Sequence, residues 1–287
     1  NKLNGFSDLA QMGWLSIIPN VGYPNQSTSH IISERVWESG YLPGENPAIT
    51  GWFGRLIDEN KLKIGDSMYT AISFTTGNQL IYNGKINRGV YWNGNSIFKK
   101  RLEQIVNNNI DFIGYEHLLT ELENNHSLLQ LLNDIEPYPG YPTTNLGNNL
   151  ATISSMIKKQ KPYKVFHLMH GGYDTHHTQI PRLNDLYTDL GNCLKIFAYD
   201  LNEIQEWENT QVLVYSEFGR SIDENANVGT DHGTAGPVFV LGGKQIYGSL
   251  ADMKPNYDTY KKVGQPYLKY QIDYRDIFNR VIDKWLL

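Results

Sequence analysis

The spacing between hydrophobic residues changes several times along the chain, and each change predicts where a strand or a helix begins. Four short apolar runs, each typical of a buried strand, lie at residues 14–18, 164–170, 211–215 and 237–243. Residues 183–206 repeat leucine at helical spacing, and residues 273–287 end the chain with a second amphipathic pattern. Strands that alternate with helices predict an α/β fold whose mostly parallel sheet carries helices on both faces.

The middle of the chain departs from this alternation. Residues 41–148 are rich in Asn, Gly and Tyr, and they predict one strand within 67–74 and helices at 97–106 and 115–132. We interpret this stretch as an irregular cap or insertion within a single domain that spans residues 1–287.

Composition narrows the possible partners and cofactors. The 25 basic and 30 acidic residues give a net charge of −5, so no basic surplus is present to neutralise a nucleic-acid backbone. The single cysteine excludes an intrachain disulfide and a thiolate metal cluster, so a bound metal would need His, Asp and Glu ligands. No apolar run approaches the roughly 20 residues that cross a bilayer, so we expect no transmembrane segment.

Polar loops follow the predicted strands at the edge where ligands bind in α/β sheets. STSH, GGYDTHHTQ and SEFGR come after the first three strands in turn. The connection at 216–236 has no helical pattern, so the strand after it is expected to run antiparallel. GTDHG, which precedes that strand, then returns to the same edge, and we expect all four loops to lie close together.

The loop after the second strand contains Asp174 and His176, two residues apart. In an extended segment such residues project to the same side, so the pair can bind a divalent ion such as Zn²⁺ or Mn²⁺ while His177 turns away. A polar turn in which Asp174 caps backbone amides is the alternative. His170 remains undecided, and His167, inside the apolar run, is expected in the core.

SEFGR and GTDHG offer further candidates. Glu217 is an acid at a strand end, and Arg220 can hold an anionic substrate group, unless the two residues form only an ion pair. Of the adjacent Asp231 and His232, one can bind a metal while the other orients a neighbouring ligand. A tight turn that uses Asp231 is the alternative.

A helix is expected from His30 to about Glu38, with Ser29 or Thr28 at its N-cap. A hydroxyl there lies in the positive field of the helix N-terminus, where phosphate and sulfate bind well. This position suits a nucleophile that attacks a phosphorus or sulfur ester. A simple cap would use the same residues.

Together and in this order, the motifs resemble a bacterial family of exported proteins known as domain of unknown function 1501. The resemblance is carried by VGYPNQSTSHIISERVWESG, HGGYDTHHTQ, YSEFGRSIDENANVGTDHGTAGPVFVLGG and DYRDIFNRVIDKWL. The family is placed in the alkaline-phosphatase-like superfamily, beside sulfatases and phosphomutases. This placement implies an alkaline-phosphatase-like fold whose first strand would precede Asn1, one or two divalent ions, and a periplasmic or secreted location.

The roles that the resemblance implies fall on residues already singled out. The implied nucleophile is Ser29 or Thr28. The implied metal ligands are Asp174, His176, Glu217, Asp231 and His232. Phe218 stands where the superfamily has a histidine ligand, so a second metal site would lack one ligand.

Three functional hypotheses follow from the sequence. The first is a hydrolase that uses Zn²⁺, Ca²⁺ or Mn²⁺ to cleave a phosphate or sulfate ester of a small molecule or glycan. The second, motivated by Phe218, is a non-catalytic binding or assembly protein that recognises an anionic cell-surface glycan on a hydrolase scaffold. The third is another metallohydrolase reaction, such as amide hydrolysis, because a fold does not fix its chemistry.

Overall fold

The computed structural model describes residues 3–45, 49–59, 71–75, 79–85, 90–91, 138–161, 163–243 and 267–286. The α-helices within these ranges are α1 (Asn4–Gln11), α2 (His30–Ser39), α3 (Trp52–Asp58), α4 (Asn145–Lys158), α5 (Gln179–Glu203) and α6 (Tyr274–Val281). The strands are β1 (Leu15–Gly22), β2 (Ala71–Ser73), β3 (Val90–Tyr91), β4 (Val165–His167), β5 (Gln211–Val214), β6 (Gly236–Gly242) and β7 (Ile272–Asp273). Short 3-10 turns lie at Leu80–Tyr82 and Trp207–Asn209, and a π-helical turn, Ile282–Leu286, follows α6.

The described strands form two small sheets. In the larger one the order is β5-β6-β1-β7, with β6 antiparallel to both neighbours and β7 parallel to β1. In the smaller one, β3, β2 and β4 are all parallel. The antiparallel return of β6 confirms the expectation from its helix-free connection. The expectation of a single, mostly parallel sheet is corrected, because β6 lies between β1 and β5 and makes the larger sheet mixed.

Alternate residues of the larger sheet face different helices. Leu15 and Ile17 of β1 pack in a core with side chains of α1, α4 and α5. Ile18 packs in a second core with side chains of α2 and α6. The strand period of two separates the β6 side chains in the same way. Helices therefore cover both faces of this sheet, as the sequence predicts.

The largest core joins the two sheets through α4 and α5. Leu190, Leu194 and Phe197 of α5 are buried there together with Ile72 of β2, which confirms the predicted leucine face of the helix. Burial of each such side chain stabilises the fold by about 1.5–3 kcal/mol. Cys193 is fully buried in the same core, and burial raises the pKa of its thiol to about 12.

The middle of the chain is described only in part. The strand predicted within residues 67–74 is confirmed as β2, whereas the helices predicted at 97–106 and 115–132 lie outside the described residues. A cap or insertion over 41–148 in a single domain therefore stays a prediction. Among the helices that the structure describes, none has both the length and the apolar character needed to span a membrane.

Candidate metal centre

Loops that are far apart in sequence meet beyond β1, β4 and β5. The amide of Gln26, after β1, donates to the backbone carbonyl of Glu217, after β5, at 3.2 Å. The Nδ1 of His232, before β6, donates to the carbonyl of Thr28 at 2.8 Å. The polar loops therefore lie close together, as predicted, but not at the edge of one sheet, because the loop with Asp174 follows β4 of the smaller sheet.

Asp174 lies at the centre of a group of histidines. Its Oδ1 is 2.9 Å from His176 Nε2 and 3.0 Å from His232 Nε2, and these two nitrogens are 3.0 Å apart. Its Oδ2 is 3.4 Å from the Nε2 of His30. Asp174 and His176 project to the same side, as their spacing predicts. We call Asp174, His30, His176 and His232 the histidine cluster.

Each histidine of the cluster has an oxygen beside its outer nitrogen. The Nδ1 of His30 is 2.6 Å from Glu217 Oε1, and that of His176 is 3.3 Å from Asp231 Oδ1. Asn225 donates to the same Asp231 oxygen at 3.1 Å. Glu217 and Asp231, both predicted as ligands, thus contact the outer side of the histidines. Asp231 thus lies beside His176, and His232 lies beside Asp174; the division of the two into an orienting residue and a ligand stays a prediction.

Arg220 holds Asp174 from the side of the β5–β6 connection. Its guanidinium donates through Nη1 to Asp174 Oδ1, through Nη2 to the carbonyl of Thr230, and through Nε to the Thr230 hydroxyl at 3.1 Å. Its use as an anion-binding residue stays a prediction, because the guanidinium already contacts two protein partners in this structure.

Opposing electrostatic effects set the charges of the cluster. Burial acts to raise the pKa of Asp174, but the hydrogen bond and charge of Arg220 outweigh it and hold that pKa below its usual range. Burial acts to lower the pKa of His30, but the hydrogen bond and charge of Glu217 outweigh it and raise that pKa. The centre therefore combines an ionised carboxylate with an imidazole that has an increased affinity for a proton.

Backbone hydrogen bonds join the loop that contains His176 to the loop at residues 227–228. The backbone nitrogens of Thr178 and Gln179 donate to the carbonyls of Asn227 and Val228, at 3.3 and 3.0 Å. Thr178 and Val228 are β-branched, yet both have left-handed backbones, with φ of 49° and 57°. Such a conformation costs about 1–3 kcal/mol and persists only where the surroundings impose it. The pairing of the two loops therefore fixes the positions of His176 and Asp231.

The predicted nucleophile lies beside the cluster. Ser29 occupies the N-cap position of α2, but its side chain makes no capping hydrogen bond. Its neighbours in sequence both reach the cluster, Thr28 through its carbonyl and His30 through its ring. The roles of Ser29 and Thr28 in catalysis stay predictions. Sequence reasoning missed His30, although it follows the same strand end as the predicted hydroxyls.

The remaining histidines of this region lie outside the cluster. His170 contacts the Tyr173 hydroxyl at 2.8 Å and Asp189 of α5 at 3.2 Å, so it attaches its loop to the helix. His167, expected in the core, is half-buried beside Ser73 of the smaller sheet, and burial lowers its pKa to about 4. His177 is exposed.

The histidine cluster fits a divalent cation. Ligand atoms about 2.1 Å from one ion lie roughly 3.0–3.4 Å apart. The separations among Asp174 Oδ1, His176 Nε2 and His232 Nε2 are 2.9–3.0 Å, and His30 Nε2 lies 3.4 Å from Asp174 Oδ2. The cluster is also open to solvent, since the side chains of Asp174, His176 and His30 are 43%, 42% and 39% exposed. A ligand of the ion could reach it from outside.

The other carboxylates near His30 form a second group. Glu34 and Glu217 have ligand atoms within 4.8 Å of those of His30. Burial, followed by the charge of Glu217, raises the pKa of Glu34. Phe218 is buried beneath them, with its ring centroid 4.8 Å from those of both His30 and His232. The residue that stands in the place of a superfamily ligand therefore packs against the cluster instead.

The sequence model of one protein family matches part of the chain. A search of curated proteins found nothing similar to the chain. Residues 148–277, which include Asp174, His176, Glu217 and His232 but not His30, match the sequence model of the family described as "Protein of unknown function (DUF1501)". This match supports the assignment of that part of the chain to the family whose motifs it resembles.

Proposed function

We propose that this protein is a metal-dependent hydrolase of phosphate or sulfate esters. The observation that carries the proposal is the convergence of Asp174 Oδ1, His176 Nε2 and His232 Nε2, with all three separations between 2.9 and 3.0 Å. Three acceptor-type atoms this close repel one another unless a proton or a cation lies among them. A divalent cation there would polarise an ester oxygen and lower the pKa of a nearby hydroxyl nucleophile.

The residues around the cluster support this chemistry. Ser29 places a hydroxyl at the N-terminus of α2, where the helix dipole favours an anionic phosphoryl or sulfuryl group. Arg220 holds Asp174 ionised and oriented through their direct contact. Asp231 and the Thr28 carbonyl hold the rings of His176 and His232 in place. The solvent-exposed face of the cluster admits an ester with a large leaving group.

The superfamily and the cellular location of the protein are part of the same proposal. Membership of the alkaline-phosphatase-like superfamily and a periplasmic or secreted location rest on the resemblance of the motifs. Cell fractionation of the source organism with an antibody to this chain would test the location, and recovery of the protein only from the cytoplasm would refute it.

The test of function is an ester panel on protein loaded with Zn²⁺ or Mn²⁺. We expect turnover of 4-nitrophenyl phosphate or 4-nitrophenyl sulfate that a chelator abolishes. Asp174→Asn should lower kcat/KM by at least 100-fold, and Ser29→Ala by a similar factor. His177→Gln is the matched control, because His177 neighbours His176 but is exposed.

Two outcomes would count against the proposal. Turnover that is unchanged in Asp174→Asn would remove the cluster from the reaction. Absence of turnover from every ester by the metal-loaded protein, together with binding to an anionic glycan, would favour the alternative of a non-catalytic binding or assembly protein. Cleavage of amides but not esters would favour the third hypothesis.

A further inference from the structure

The three imidazoles of the histidine cluster share one arrangement. In each ring Nδ1 faces an oxygen: the Thr28 carbonyl for His232, Asp231 for His176, and Glu217 for His30. In each ring Nε2 faces Asp174. A histidine that binds a metal through one nitrogen almost always donates its other N–H to such an oxygen, which fixes the tautomer and the ring orientation.

For His232 the tautomer follows from its partner. A backbone carbonyl can only accept a hydrogen bond, so Nδ1 of His232 carries the proton and Nε2 of the neutral ring is a free acceptor. With an ion at Nε2, the carboxylates beside Nδ1 of His30 and His176 would hold the same tautomer in those rings. Three Nε2 atoms then face the Asp174 carboxylate, those of His176 and His232 at Oδ1 and that of His30 at Oδ2.

The Glu217 contact of His30 argues against a separate ion among Glu34, Glu217 and His30. Glu217 Oε1 lies 2.6 Å from His30 Nδ1, which is hydrogen-bond distance, so a proton occupies the space between the two atoms. Glu217 Oε2 accepts a hydrogen bond from Ser216 at 2.8 Å. Both oxygens of Glu217 are thus engaged by donors, and the carboxylate acts on His30.

We propose that His30 is a metal ligand and that the centre holds a single ion, bound by Nε2 of His30, His176 and His232 and by Asp174. Phe218 stands where the superfamily has a histidine ligand and cannot bind a metal, so His30 supplies the imidazole on that side of the cluster. Glu217 orients His30 from outside, as Asp231 does for His176. This inference rests on the metal-binding part of the proposed function but not on ester hydrolysis.

The ligand set also selects the ion. Three imidazole nitrogens and one carboxylate suit borderline cations such as Zn²⁺, Mn²⁺ and Co²⁺. Ca²⁺ takes six to eight oxygen ligands and is disfavoured by a nitrogen-rich set. Of the ions that the sequence leaves open, the cluster therefore favours Zn²⁺ and Mn²⁺ over Ca²⁺.

The experiment is a titration of the metal-free full chain with Zn²⁺, Co²⁺ and Ca²⁺ by calorimetry. We expect one Zn²⁺ per chain and much weaker binding of Ca²⁺. Loss of a residue that orients a metal ligand lowers metal affinity by about 10–100-fold. Glu217→Gln should lower Zn²⁺ affinity within that range, and His30→Gln should lower it by at least as much. His177→Gln should bind as the unmodified chain does.

A measurement on the unmodified chain keeps the test independent of how the variants fold. X-ray absorption of the Co²⁺-loaded protein should show three imidazoles around the ion. Two imidazoles around the ion would overturn the assignment of His30 as a ligand. Unchanged or tighter Zn²⁺ binding in His30→Gln would also overturn it, because this result is expected if His30 stays an imidazolium between the carboxylates of Glu217 and Asp174. Two Zn²⁺ ions per chain would overturn the single-ion centre.

Failure of this inference is separable from failure of the proposed function. A three-imidazole ion that supports no ester turnover would leave His30 assigned and refute the hydrolase. Turnover with a two-imidazole ion would do the reverse.

Discussion

Gly229→Ala tests whether the paired loops beneath His176 fix the histidine cluster. A Cβ at residue 229 would lie 2.3 Å from the carbonyl carbon of His176 and 2.5 Å from the backbone nitrogen of His177. Carbon atoms pack at about 3.5–4.0 Å, so the two backbones need to separate by roughly 1 Å. Gly171→Ala is the matched control, because a Cβ there meets nothing within 4 Å.

The expected effect of Gly229→Ala has two parts. Overpacking costs about 1–3 kcal/mol, and the upper end applies because both sides of the clash are backbone. At about 2–4 °C per kcal/mol, a cost of about 3 kcal/mol should lower the melting temperature by roughly 6–12 °C. A shift of about 1 Å also moves His176 away from Asp174, so Zn²⁺ affinity should fall at least tenfold.

Differential scanning calorimetry and Zn²⁺ titration measure the two parts separately. Gly171→Ala should leave both quantities near those of the unmodified chain. If Gly229→Ala melts and binds Zn²⁺ as the unmodified chain does, the loops are not held as tightly as the structure indicates. If it loses stability but keeps its Zn²⁺ affinity, the pairing of the loops does not position His176.

Two further predictions concern carboxylates outside the cluster, the half-buried Glu38 and the buried Asp200. Burial raises the pKa of Glu38 from its usual 4.5 to about 7, so the folded protein loses stability as pH rises between these two values. Glu38→Gln should therefore raise the melting temperature more at pH 8 than at pH 5. Equal shifts at both pH values would refute the raised pKa. Asp200 is buried and accepts hydrogen bonds from Lys158, Ser154 and Tyr141. Asp200→Ala should therefore lower the free energy of unfolding, measured in urea, by about 3–5 kcal/mol and leave the Zn²⁺ affinity of the folded protein unchanged. A loss below about 1 kcal/mol would contradict this expectation.

Most of the secondary structure of the two ends of the chain could be predicted from hydrophobic periodicity. The leucine repeat predicts α5, and its bounds differ from Gln179–Glu203 by only a few residues. The helix-free connection after β5 predicts an antiparallel β6. The division into two sheets could not be predicted, because strand order depends on which edges pair and not on the pattern within any one strand.

The candidate site could be predicted in part for similar reasons. The spacing of Asp174 and His176 is local, and the structure shows the expected pairing. Glu217 and Asp231, predicted as ligands, lie beside the Nδ1 atoms of His30 and His176, and nothing in their motifs encodes that position. His30 was missed because the direction of a side chain in the first turn of a helix depends on how the helix docks on the sheet.

The histidine cluster draws its residues from segments about 200 positions apart in the chain. Such contacts carry a large loop-closure entropy and form only when the sheet that joins them has assembled. An ion that needs all of them binds the folded chain and not the unfolded one. At 100 times its dissociation constant it would add about 2.7 kcal/mol to the free energy of unfolding. Ion supply would then govern the lifetime of the folded protein through the rate of unfolding, while the rate of folding would be set by the chain itself.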